Sequence, residues 1–95
     1  MAIWVKTNGT TEVVIKDQFT LEDLQSMVDG YIEFIPLSCG DTLVVNEEGY
    51  INDLPVNDKA TLVVRRTERY SGVTIVGGAV ILNKEEIASL EHEIR

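Results

Sequence analysis

The chain has little cysteine, proline, aromatic side chain or positive charge, and each shortage narrows what it can be. Cys39 is the only cysteine among 95 residues, so no intrachain disulfide can form and nothing points to an oxidising compartment. The two prolines, Pro36 and Pro55, stand where strands must stop. Six rings (Trp4, Phe19, Tyr31, Phe34, Tyr50 and Tyr70) are too few for a broad aromatic binding platform, so Val, Ile and Leu must carry most of the burial. No stretch approaches the ~20 apolar residues of a membrane span, and MAIWVKTNGT lacks a basic segment followed by a long apolar run. These absences lead us to expect a cytoplasmic protein without a membrane anchor.

Positive charge is the sharpest shortage. Lys plus Arg number 8 against 16 Asp plus Glu, a formal charge of -8. That argues against direct nucleic-acid binding, which requires neutralising phosphates, and suits docking on a basic partner. Two copies repel at long range, so an oligomer would need an apolar or locally paired interface.

What is present fits one domain with a modest core. Ala2 to Lys6 and Thr11 to Lys16 are β-prone runs separated by Thr7-Asn8-Gly9-Thr10, where Asn-Gly supplies the positive φ angles of a tight hairpin turn. Thr20 can cap a helix over Leu21 to Asp29 whose first turn holds Glu22 and Asp23; Leu21, Leu24, Met27 and Val28 share a face, and Gly30 ends it. Tyr31 to Ile35 reads as a strand stopped by Pro36, Ser38 to Asp41 as a turn, and Thr42 to Val45 as a further strand leading through Asn46-Glu47-Glu48-Gly49 to Tyr50 and Ile51. Asn57 can cap a short helix, but Leu62-Val63-Val64 has strand chemistry, so 60–66 stays open between helix and strand. Val73 to Leu82 reads as a strand interrupted by Gly77-Gly78, which imply a bulge or a close backbone approach. Asn83-Lys84-Glu85-Glu86 opens a closing amphipathic helix over 83–95 with Ile87, Leu90 and Ile94 as its stripe.

The fold expected is therefore α+β: a small, mainly antiparallel sheet in β-grasp-like succession (hairpin, helix, further strands) with a C-terminal amphipathic helix. That helix either packs on the sheet or pairs two subunits into a homo-oligomer.

Gly30-Tyr31-Ile32-Glu33 with Pro36-Leu37, then Val45-Asn46-Glu47-Glu48-Gly49, then Leu54-Pro55-Val56-Asn57 with Ala60, together resemble a small domain family of unknown function found in phages, plasmids and bacteria. The resemblance covers 19–82 and leaves the closing helix outside. It implies no catalytic residues and no cofactor. It does imply a setting, because small acidic proteins of phages and mobile elements often act against host defence.

Cys39 and His92 form no recognisable nucleophile–base signature, and the carboxylates of the turns have sufficient roles as caps, so no catalytic or metal-binding residues are nominated. Arg65, Arg66 and Arg69 concentrate three of the eight basic residues beside Tyr70. Guanidinium forks and a stacking ring are what an anionic nucleotide would need, although surface arginines more often pair with neighbouring acids. Glu85, Glu86, Glu91 and Glu93 on the closing helix are candidate partner contacts. The leading expectation is a non-enzymatic accessory protein that binds and inhibits a host defence protein; the alternative is an oligomeric binder that sequesters a nucleotide signal.

Overall fold

A computed structural model of the chain describes residues 1–49, 51–67, 70 and 72–94, with the backbone alone for 91–94. The first two strands are β1 (Ala2–Val5) and β2 (Thr11–Val14). The Lys6 N–H donates to the Thr10 carbonyl at 2.9 Å and the Gly9 N–H to the Lys6 carbonyl at 3.2 Å. Of the loop residues only Gly9 has a positive φ, 88°, so the connection is a three-residue loop with a left-handed glycine and not the two-residue Asn-Gly turn that the dipeptide predicts. The same device joins β3 (Ile32–Pro36) to β4 (Thr42–Asn46). There Leu37 N–H donates to Asp41 O at 2.9 Å and Gly40 N–H to Leu37 O at 3.1 Å, with Gly40 at φ 97°.

Helix α1 (Leu21–Val28) begins at a reciprocal capping box: Thr20 accepts from Asp23 N–H, and the Asp23 carboxylate accepts from Thr20 N–H. It ends on Asp29, whose φ of 64° is left-handed. Asp29, not Gly30, makes the reversal; Gly30 is required for another reason, given below. Helix α2 (Asp58–Arg65) settles the open segment. Asn57 caps it, and Ala60, Thr61 and Val64 are its buried residues, a helical spacing that a strand could not bury together. Strand β5 is only Ala79–Leu82, shorter than the Val73 to Leu82 run expected. Residues 73–76 leave the sheet, and Val76 bridges Val56 instead. Gly77 turns the chain between the two regions at φ 81°. Helix α3 (Lys84–Ile94) closes the fold. Tyr50, expected after the Asn46 to Gly49 turn, lies outside the described residues.

The sheet order is β2-β1-β5-β4-β3 and each ladder is antiparallel. The succession of hairpin, helix and further strands is the expected one; the β1–β5 ladder, however, is antiparallel, where a β-grasp sheet pairs its first and last strands in parallel. Helices cover both faces. Val28, Leu24 and Leu90 pack with Ala2, Val44, Val80 and Leu82 on one face, and Ala60, Val64 and Ile75 pack with Val5, Leu43, Val45 and Ala79 on the other. That explains the unbroken apolar runs Leu43-Val44-Val45 and Ala79-Val80-Ile81-Leu82: central strands buried on both sides lose the alternation of a half-exposed strand.

Pro36 is tolerated inside β3 because of register. Leu37 and Asp41 are a hydrogen-bonded pair, and bonding alternates along an antiparallel ladder, so Pro36, opposite Thr42, turns its missing N–H to the free edge.

Candidate functional site

On the face covered by α2, strands β3 and β4 with Tyr70 and residues 73–76 leave a groove. Its floor is apolar: Ile35 from β3, Val45 from β4 and Ile75, all buried, with Val73 and Tyr70 as walls. Glu33 and Glu47 rim it, both exposed. Glu33 pairs with Val45 in the ladder, and Glu47 N–H donates to Tyr31 O one step further along at 2.9 Å. The two carboxylates are therefore diagonal neighbours on one face of the sheet. Among the described residues neither forms an ion pair; the pairs present are Met1–Glu86, Lys6–Glu12 and Lys16–Asp23. Two unneutralised carboxylates over an apolar floor favour a cationic group carried on an apolar stem.

The groove encloses about 160 Å³, below the roughly 300–1,000 Å³ of sites for drug-sized molecules. It accommodates a protein side chain better than a nucleotide.

The arginine-rich loop is divided by the structure. Arg65 ends α2 and Arg66 caps it, both exposed. Tyr70 packs against the second core and lines the acidic groove. Arg69 lies outside the described residues. Arg65 and Arg66 are not among the residues that line this groove. Among the described residues, what the loop brings to the groove is Tyr70, on the same side as Glu33 and Glu47.

The closing helix is likewise divided. Glu86 Oε1 accepts from Asn83 N–H at 3.0 Å while Asn83 Oδ1 accepts from Glu86 N–H at 2.8 Å, and Glu86 Oε2 lies 2.9 Å from the terminal ammonium of Met1. Glu86 is thus held by a capping box and an ion pair and is not free for a partner. Glu85 is exposed. The side chains of Glu91, His92, Glu93 and Ile94 lie outside the described residues. Leu90 is 0% exposed, and Ile87 packs against the same core, so these two stripe residues face the protomer's own sheet and are not available to a second subunit. Cys39 is an exposed residue of the β3–β4 turn.

Glu33 and Glu47 escaped the reading of the sequence. Glu33 alternates with Ile35 on a β-prone run, a period-two signal, and Glu47 reads as a turn acid. Only the β3–β4 register, with Tyr70 folded back over it, unites them.

No helix among the described residues is long and apolar enough to cross a membrane. No curated protein and no solved structure matches the chain. A family model described as a domain of unknown function, DUF3846, matches residues 1–95, taking in the first hairpin and the closing helix as well as the motif-bearing middle. By that match over its whole length, the chain belongs to the DUF3846 family of domains of unknown function.

Proposed function

We propose that this protein is a non-enzymatic binding module whose acidic groove receives a basic side chain on an apolar stem from a partner protein. The observation that carries this reading is the pair Glu33 and Glu47, exposed and without a cationic neighbour among the described residues, over the floor of Ile35, Val45 and Ile75. The overall charge of -8 supports it by steering basic partners toward the surface. Within this proposal the partner is a component of a host defence system and the protein is an accessory factor of a phage or mobile element that inhibits it; this part rests on the resemblance to small proteins of that setting.

The test is affinity capture from host lysate with the wild type and with a Glu33→Lys/Glu47→Lys variant. A partner held by the wild type and lost from the folded variant supports the groove, whereas equal retention rejects it. Loss of phage fitness on defence-bearing hosts after gene deletion supports the inhibitory role, and unchanged fitness rejects that role alone. A salt-sensitive calorimetric signal with a nucleotide panel, weakened by Arg66→Ala, would instead favour nucleotide sequestration.

A further inference from the structure

We propose that the free edge of β2 is a self-association surface, through which two copies of the chain join their sheets around a two-fold axis. The inference is independent of the groove, which lies at the opposite edge.

The two edges differ. β3 presents Pro36 to its free side, which removes a donor and discourages strand addition. β2 has no proline or glycine, and it exposes Val13 at 56% and the following Ile15 at 81%. Lys6 and Thr10 are a hydrogen-bonded pair, so by alternation Glu12 and Val14 bond toward β1, opposite Trp4 and Ala2. The N–H and C=O groups of Val13 and Ile15 therefore face outward. Antiparallel pairing with a second copy must oppose these outward-facing odd-numbered positions to one another.

One such register is self-complementary. With Val14 on the axis, Val13 meets Ile15 of the second copy in a doubly hydrogen-bonded pair, and Ile15 meets Val13. On the other face Glu12 meets Lys16, and Lys16 meets Glu12. Centring one residue earlier would oppose Glu12 to Val14 and lose both charge pairs. The chosen register covers the two exposed aliphatic side chains and places opposite charges in direct cross-strand contact. Glu12 and Lys16 now make exposed pairs with Lys6 at 3.0 Å and Asp23 at 2.6 Å, and such surface pairs exchange partners readily. Repulsion between two copies of charge -8 is screened beyond about 8 Å at physiological ionic strength. The joined sheet would carry one acidic groove at each far end, so a partner with two basic sites would be held bivalently.

Sedimentation velocity at physiological ionic strength tests the register directly. The wild type is expected to sediment as a dimer. Glu12→Lys and Lys16→Glu, each alone, should weaken association by about tenfold or more, because every copy then opposes like charges. An equimolar mixture of the two variants should recover dimers, since the introduced lysine of one then faces the introduced glutamate of the other, while the unchanged Glu12 and Lys16 face each other. Ile15→Pro removes an outward N–H that no strand of the protomer uses, and should give a folded monomer, checked by far-UV circular dichroism. A wild type that stays monomeric up to about 1 mM overturns the proposal. So does a mixture no more associated than its separate components, or a dimer indifferent to all three substitutions.

Discussion

The carboxamide of Asn46 stands where a side chain on Gly30 would stand: a Cβ at residue 30 would lie 2.6 Å from Asn46 Nδ2. From there Nδ2 donates to the carbonyls of Val28 and Asp29 at 3.0 and 3.1 Å, and Oδ1 accepts from Glu48 N–H at 2.7 Å. Asn46 is 6% exposed and completes the C-terminus of α1 from the end of β4, supplying donors to carbonyls that a helix leaves unpaired. Gly30 is glycine because this side chain needs its space.

Gly30→Ala should therefore destabilise the fold by roughly 2–4 kcal/mol, through overpacking and loss of the Asn46 bonds. Asn46→Ala should cost a similar amount. The double variant should fall well short of the sum, because both changes break one unit; urea denaturation of the four proteins measures the coupling. Additive costs would show that the two positions act separately.

Asn57 is the second buried polar junction, 1% exposed. Its Nδ2 donates to Val5 O and Gly77 O, both at 2.9 Å, while Oδ1 accepts from Ala60 N–H at 3.1 Å. It ties the start of α2 to the end of β1 and to the Gly77 turn. Asn57→Ala should lower stability by about 3 kcal/mol through two orphaned carbonyls and a lost cap. Asn57→Asp should cost more at neutral pH, since carboxylate oxygen replaces the donor facing two carbonyls. Thermal melts at several pH values should show the aspartate variant recovering as it protonates.

Among the described residues, Asp23 is the group whose acidity the fold changes clearly. The hydrogen bond from the Lys16 ammonium at 2.6 Å, and then that from Thr20 N–H, hold its carboxyl below the ordinary value of 3.8. A carboxylate that binds its proton less readily when folded adds stability that is present above pH 3.8, its ordinary value, and is lost as the pH falls through the depressed folded value. The stability difference between wild type and Asp23→Asn should thus shrink in acid. A difference constant from pH 7 downward would refute the linkage, and Lys16→Met should reduce it.

Leu90 and Leu62 are both helical leucines with opposite fates, 0% and 61% exposed. Leu90→Ala should cost roughly 2–5 kcal/mol by opening a cavity between α3 and the sheet. Leu62→Lys should change stability by no more than about 0.5 kcal/mol. Chemical denaturation of the two variants checks that α3 is a core element of the protomer; a near-neutral Leu90→Ala would return it to the role of a subunit contact.

Much of the architecture was legible because its signals are local. Thr20 with Asp23 and Asn83 with Glu86 are caps whose partners lie three residues away, and both hairpins carry glycine where the loop turns left-handed. Local signals failed where two parts of the chain compete for one segment. Val73 to Val76 has strand composition, yet it is bound to the 55–61 segment: Asn57 N–H donates to Ile75 O at 2.8 Å, and Thr61 Oγ1 accepts from Ile75 N–H at 2.9 Å. Gly78 is glycine because α1 rests on it, a Cβ there falling 2.8 Å from Met27 O. The bonds to Asn57 and Thr61 leave no mark within 73–76 itself, whereas the close backbone approach at Gly78 is the one that the paired glycines imply.

The sequence alone determined the types of most elements, though not of 60–66 or 73–76, and with them the mainly antiparallel α+β class, the acidity and the membership of a family of unknown function, since these depend on side-chain periodicity, composition and neighbours a few residues apart. Tertiary structure alone decided that β5 runs between β1 and β4, that Glu33, Glu47 and Tyr70 share a groove that Arg65 and Arg66 do not line, and that β2 keeps a free edge. These relations join residues distant along the chain, and strand order and register, which set them, become determinate only when both faces of the sheet are packed at once.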